Sequence, residues 1–144
     1  MPQTTVLVVD DDKSILTALR MTLEGEYHVA TAETGADAIG LLYAQKPEVV
    51  LLDVGLPDTS GINLIERIKN IDPDVSIIMV TAVEEAQTIV KALKLGAYDY
   101  LVKPIDAQAL KVTLRNALET RGLRDTIRRI QKPKIEQYRL DLIG

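Results

Sequence analysis

The chain has 144 residues, 47% of them hydrophobic and 26% charged, with a net charge of −4 and no cysteine. That is the size and balance of one ordinary globular domain, long enough to bury a core without staples. A disulfide framework and a thiolate metal site are excluded, and no apolar run reaches the roughly 18–20 residues of a membrane span. The N-terminus, MPQTTVLVVDDD, does not read as a secretory leader, so a cytoplasmic protein with no membrane partner is expected.

The first expected strand is Thr5–Val9, which runs into Asp10, Asp11 and Asp12. Ile15, Leu19, Thr22 and Leu23 then share one face of a helix, with Ser14 and Thr17 near its start. Tyr27–Thr31 is the second strand, and Thr34 is a plausible N-cap before Ala38, Ile39 and Leu42. The third strand, Val49–Leu52, meets Asp53 and a loop containing Gly55, Pro57 and Gly61. Ile62, Ile65 and Ile68 form a helical stripe that Asp72-Pro73 stops. Val75–Val80 is the fourth strand and leads into Thr81. Ile89, Val90 and Leu93 form another stripe, and Gly96 suits a C-terminal cap. The fifth strand, Tyr98–Val102, leads into Lys103-Pro104. A last helix starts near Asp106 and uses Leu110, Leu114, Ala117 and Leu118. Leu123, Ile127 and Ile130 extend it past residue 120 in a coiled-coil-like step, which Gly122 interrupts and Pro133 ends.

Strand and helix alternate five times, and three strands are nearly continuous apolar runs. That is the pattern of an α/β fold with a parallel sheet covered on both faces. In such sheets ligands bind beyond the carboxyl ends of the strands. Four strands end there in polar groups: Asp10 and Asp11, Asp53, Thr81, and Lys103. Singly, each has an ordinary explanation as a helix start, a turn residue or a surface lysine. Together they are a site. Clustered carboxylates repel unless a hard cation such as Mg2+ neutralises them, and that ion commonly bridges carboxylates to phosphate. A carboxylate can itself become an aspartyl phosphate. Lysine and a threonine hydroxyl suit phosphoryl oxygens. His28, the single histidine, lies on the second strand and reads as a surface or packing residue. No G-x-x-x-x-G-K-[ST] or G-x-G-x-x-G motif is present.

The stretches VLVVDDD (6–12), VVLLDVGLPDTSG (49–61), IIMVTA (77–82) and GAYDYLVKP (96–104) closely resemble the receiver domains of bacterial two-component response regulators. The resemblance covers residues 4–120. It implies a doubly wound, flavodoxin-like sheet of five parallel strands in the order 2-1-3-4-5. It implies Asp53 as phosphoacceptor, and Mg2+ held by Asp10, Asp11, Asp53 and the Gly55 carbonyl. Lys103 would pair with the phosphoryl group and precede a cis Pro104. Thr81 and Tyr100 would be the switch residues. The partner would be a sensor histidine kinase, with homodimerisation on activation through the face of helix 4, strand 5 and helix 5. That face includes Lys91, Lys94, Asp99, Lys111 and Arg115. Gly55 and Val83 depart from the commonest pattern at positions that flank the attacking water in the family, and Ile105 stands where Phe is frequent. The domain would be a regulatory switch that catalyses its own phosphotransfer and dephosphorylation, not an enzyme acting on external substrates.

Residues 121–144 form a basic segment, read either as a solvated helix and linker or as a contact for nucleic acid or an acidic partner. YRLDLIG (138–144) resembles the lead-in to the ATPase domain of sigma-54-dependent, NtrC-like activators. An output domain or DNA would then be reached only through a C-terminal region outside this sequence. A stand-alone receiver and one with another output stay open. Two competing functions are a phosphorylation-independent interaction scaffold and a small Mg2+-dependent phosphatase. The intact Asp10, Asp11, Asp53, Thr81 and Lys103 argue against the first. Gly55, where the second wants an aspartate, argues against the other.

Overall fold

The computed structural model describes residues 3–123. Its elements in chain order are β1 (Thr5–Val9), α1 (Lys13–Leu23), β2 (His28–Ala32), α2 (Gly35–Gln45), β3 (Val49–Leu52), α3 (Gly61–Ile71), β4 (Ser76–Thr81), α4 (Ala86–Lys94) and β5 (Asp99–Val102). A final helix, α5, covers residues 107–123. The five strands are parallel in the order β2-β1-β3-β4-β5, as the resemblance implied. β2, β4 and β5 begin one residue later than the apolar runs suggested. Their lead-in residues Tyr27, Val75 and Tyr98 are apolar but precede the strand pairing.

Both faces of the sheet are covered, which is why β1, β3 and β4 read as nearly continuous apolar runs. One face presents Val6, Val8, Val49, Leu51, Ile78 and Val80 to Leu16, Leu19 and Leu23 of α1 and Leu110, Leu114 and Ala117 of α5. The other presents Leu7, Val9, Val50, Leu52, Ile77 and Met79 to α2, α3 and α4. Burying side chains of this size contributes about 1.5–3 kcal/mol each. On α1 the deepest residue on the N-terminal side is Leu16, whereas Ile15 is partly buried beside it.

The helix starts are set locally by short polar side chains. Asp12 caps α1, Thr34 caps α2 and Ser60 caps α3, each accepting a backbone amide of the first turn. Glu85 precedes α4 without a side-chain cap. Gly96, at φ 113°, ends the α4 region in a conformation that favours glycine.

The α4 stripe needs correction. Ala92 is its buried residue, while Val90 is 50% and Leu93 44% exposed. The apolar arc is wider than the sheet can cover, because α4 lies toward the β5 edge and packs beside α3 and β5. The final helix does extend past residue 120, and Arg121 donates to the Glu48 carbonyl at 3.1 Å. Ile127, Ile130, Pro133 and the YRLDLIG ending lie outside the described residues.

Candidate functional site

Parallel register brings the polar strand ends together. Val9 pairs with Leu52, so Asp10 and Asp53 follow on one level. Thr81 pairs with Val102, which places Lys103 beside them at the same edge. Ligand oxygens of Asp10, Asp11 and Asp53 lie within 4.8 Å of one another. Asp10 and Asp53 are buried, and Asp11 is exposed. Lys103 Nζ lies 2.6 Å from Asp10 Oδ2 and 3.2 Å from Asp53 Oδ2. One ammonium thus bridges two buried carboxylates that would otherwise repel.

The electrostatics follow from that crowding. Burial pushes the Asp10 carboxyl above its usual range. The Lys103 hydrogen bond and the Asp12 amide oppose this, and the Asp53 charge adds to it. For Lys103, burial works against the ammonium. The Asp10 hydrogen bond and the charges of Asp10 and Asp53 outweigh it together, so its pKa is raised. Three clustered carboxylate oxygens are a hard donor set of the kind Mg2+ takes. They therefore fit such an ion, with Asp10, Asp11 and Asp53 as the residues that could hold it.

Local folding positions each group. The Asp12 amide donates to Asp10 Oδ1 at 2.9 Å, and Asp12 in turn caps α1 through Ser14. After β3, the Gly55 amide donates to Asp53 Oδ1 at 3.4 Å. The Gly61 amide reaches the Val54 carbonyl at 2.7 Å. Position 61 must be glycine, since a Cβ there would overlap the Asp53 carbonyl oxygen. The Lys103–Pro104 peptide is cis.

Thr81 and Tyr100 are joined through Val83, which sequence reading singled out for its apolar side chain and not for this link. The Val83 amide donates to Thr81 Oγ1 at 3.3 Å, and the Tyr100 hydroxyl donates to the Val83 carbonyl. Both contacts use the main chain of Val83, which no side-chain motif advertises. Thr81 is buried and Tyr100 half-buried. Burial raises the Tyr100 pKa, helped by the negative charges of Asp53 and Glu85. His28 is exposed at the start of β2, away from these groups.

The response regulator receiver domain model matches residues 6–115 of the chain. The chain belongs to the response regulator receiver domain family. It is 42% identical over 114 residues to the transcriptional regulatory protein ZraR of Salmonella typhimurium, covering 78% of this chain and 26% of that protein. It is 39% identical over 114 residues to the transcriptional regulatory protein KdpE of Staphylococcus aureus, covering 78% of this chain and 49% of that protein. The chain therefore spans less than half the length of either relative. Among solved structures, the beryllofluoride-activated NtrC4 receiver domain dimer matches with a TM-score of 0.78 and 40% identity, over 81% of this chain and 98% of that one. The signal receiver domain of a Luxo repressor protein from Vibrio parahaemolyticus matches with a TM-score of 0.82 and 32% identity, over 87% and 97% of the two chains. Receiver domains bind Mg2+ at an acidic pocket, and Asp10, Asp11 and Asp53 form such a cluster here. Among the described residues no helix is long and apolar enough to cross a membrane.

Proposed function

We propose that this receiver domain accepts a phosphoryl group on Asp53 from the phosphohistidine of a sensor kinase. The observation that carries this most directly is the Lys103 ammonium seated between Asp10 and Asp53. An Asp53 carboxylate oxygen attacks phosphorus, a P–O bond forms as the P–N bond breaks, and the imidazole leaves with the bonding pair. Asp10, Asp11, Asp53 and the Gly55 carbonyl would hold Mg2+, which when bound neutralises the carboxylates and the phosphoryl oxygens. Lys103, already 3.2 Å from Asp53, meets a phosphoryl oxygen as a further positive charge. Thr81 moves its hydroxyl toward another, giving up the Val83 amide, and Tyr100 follows through the Val83 carbonyl.

Phosphorylation adds about −1.5 to −2 charge and three acceptor oxygens. The consequence falls on α4, β5 and α5, where Val90, Leu93, Tyr98 and Val112 are exposed. A second copy of the chain would cover this patch in a two-fold dimer. Lys91 and Lys94 stand on it, whereas Lys111 is held 3.5 Å from Glu26 on the α1 side and contributes less. Residues 4–120 are the receiver unit, and 121–144 lead toward an output region that regulates transcription in the cytoplasm. The domain is a regulatory switch whose phosphotransfer and dephosphorylation act on itself.

The test is incubation with a small phosphodonor and Mg2+, followed by intact mass. The wild type should gain about 80 Da, the mass of one phosphoryl group on a carboxylate. Asp53→Asn and a chelator should each abolish the gain. An unmodified wild type that is folded and binds Mg2+ would favour a scaffold that works without phosphorylation.

A further inference from the structure

The tip of the loop between β3 and α3 is tied to a helix more than twenty residues earlier in the chain. One Asp58 carboxylate oxygen accepts the Gly35 amide at 2.8 Å, and the other accepts the Ala36 amide at 3.0 Å. Thr34 takes the next amide of that turn, from Asp37, at 3.0 Å. A helix start leaves such amides without intrahelical partners. Thus α2 is capped in two parts, one local and one supplied by the loop that follows Asp53. The approach is close: a Cβ at position 35 would meet the Thr59 methyl group, so that side chain would have to shift to admit one. The two amides also hold the exposed Asp58 carboxyl below its usual range.

The start of α2 belongs to the other half of the site. It follows closely on Ala32, whose carbonyl accepts the Asp10 amide at 3.0 Å. Asp58 therefore links the segment carrying Asp53 and Gly55 to the helix start just after β2, whose Ala32 carbonyl in turn holds the Asp10 amide. The base of its loop is closed separately, by the Gly61 amide on the Val54 carbonyl and by the pairing of Gly55 with Ser60. Asp58 holds the tip.

We propose, on the reading of the site as a Mg2+-dependent phosphoacceptor, that Asp58 is a positioning residue. Its clamp on Gly35 and Ala36 sets the β3–α3 loop at the spacing from Asp10 and Asp11 at which three carboxylates share one ion. Residues that orient ligands without touching the metal commonly change its affinity by about 10–100-fold. The clamp acts one step further out, through the main chain of the loop that carries Asp53, so the lower end of that range applies.

The test is Mg2+ titration of the chain, followed by amide NMR shifts, for wild type, Asp58→Ala, Asp58→Asn and Thr34→Ala, each with its Tm. Asp58→Ala should weaken Mg2+ about tenfold, and Asp58→Asn, which keeps one acceptor oxygen, should fall between it and wild type. Thr34→Ala strips a cap from the same helix, so it should lower Tm and leave the Mg2+ affinity alone. The Asp58→Ala loss should persist in about 0.5 M salt, where a through-space effect of one exposed charge is screened. An unchanged affinity in Asp58→Ala overturns the proposal, as does an equal loss in Thr34→Ala or a loss that vanishes in salt. A wild type without Mg2+-dependent shifts overturns the metal site itself, and the clamp with it.

Discussion

The connection from β3 to α3 and the connection from β4 to α4 leave the same edge of the sheet, on neighbouring strands. The first is tied at several points. Ser60 caps α3, Gly61 packs under the Asp53 carbonyl, and Asp58 reaches across to α2. Its helix then buries Ile62, Leu64, Ile65 and Ile68. The second is tied mainly through Val83, to Thr81 on one side and Tyr100 on the other. Its helix begins without a side-chain cap and buries Ala92. The proposed function, in which the site binds an ion and reports a modification, calls for both kinds of connection. The fixed one holds Asp53, and the lightly held one can move at small cost.

The largest difference between the two should appear in stability. Ile65→Ala, at a fully buried position of α3, should cost about 2–5 kcal/mol in urea unfolding. Leu93→Ala on α4 should stay within about 0.5 kcal/mol, as at other exposed positions. Equal losses would mean that α4 is as firmly packed as α3, and the comparison would break.

A smaller effect is expected from Tyr100→Phe, which deletes the donor to the Val83 carbonyl. The loss should be about 0.5–1.5 kcal/mol, the worth of one such bond. Amide exchange should quicken in residues 82–95 and stay unchanged in 54–71. Faster exchange in both segments would show that they are one cooperative unit.

The smallest effect should come from pH. Hydrogen bonds lower the carboxyls of Asp12 (from Ser14) and Asp58 (from Gly35 and Ala36) below the ordinary 3.8. A depressed carboxyl stabilises the fold above its unfolded pKa, and the contribution is lost as pH falls through the folded value. Stability should therefore decline on acidification below about pH 4, and Asp58→Asn should make that decline shallower. An acid limb identical to wild type would remove Asp58 from the set of ties on the fixed connection.

Much of this was legible in the sequence because its cause is local or repetitive. Doubly covered strands write nearly continuous apolar runs, and β1 and β3 match theirs residue for residue. The four polar strand ends could be placed on one edge because parallel strands all point the same way. Thr34 announced the start of α2 for an equally local reason. The misreadings share a different origin. The period of Ile89, Val90 and Leu93 gives an apolar side, but how much of it the sheet covers depends on where α4 lies relative to the β5 edge. Asp58 drew no reading of its own, since its partners are two backbone amides on another element. Val83 works through its main chain, so its side chain pointed elsewhere.

The most direct measurement is amide hydrogen exchange before and after treatment with a phosphodonor and Mg2+, with Asp53→Asn as control. Exchange should change in residues 82–95 and around Tyr100, stay constant along α3, and not respond in the control. A response confined to α3, or one of equal size in both connections, would contradict the division between a fixed acceptor and a moving reporter.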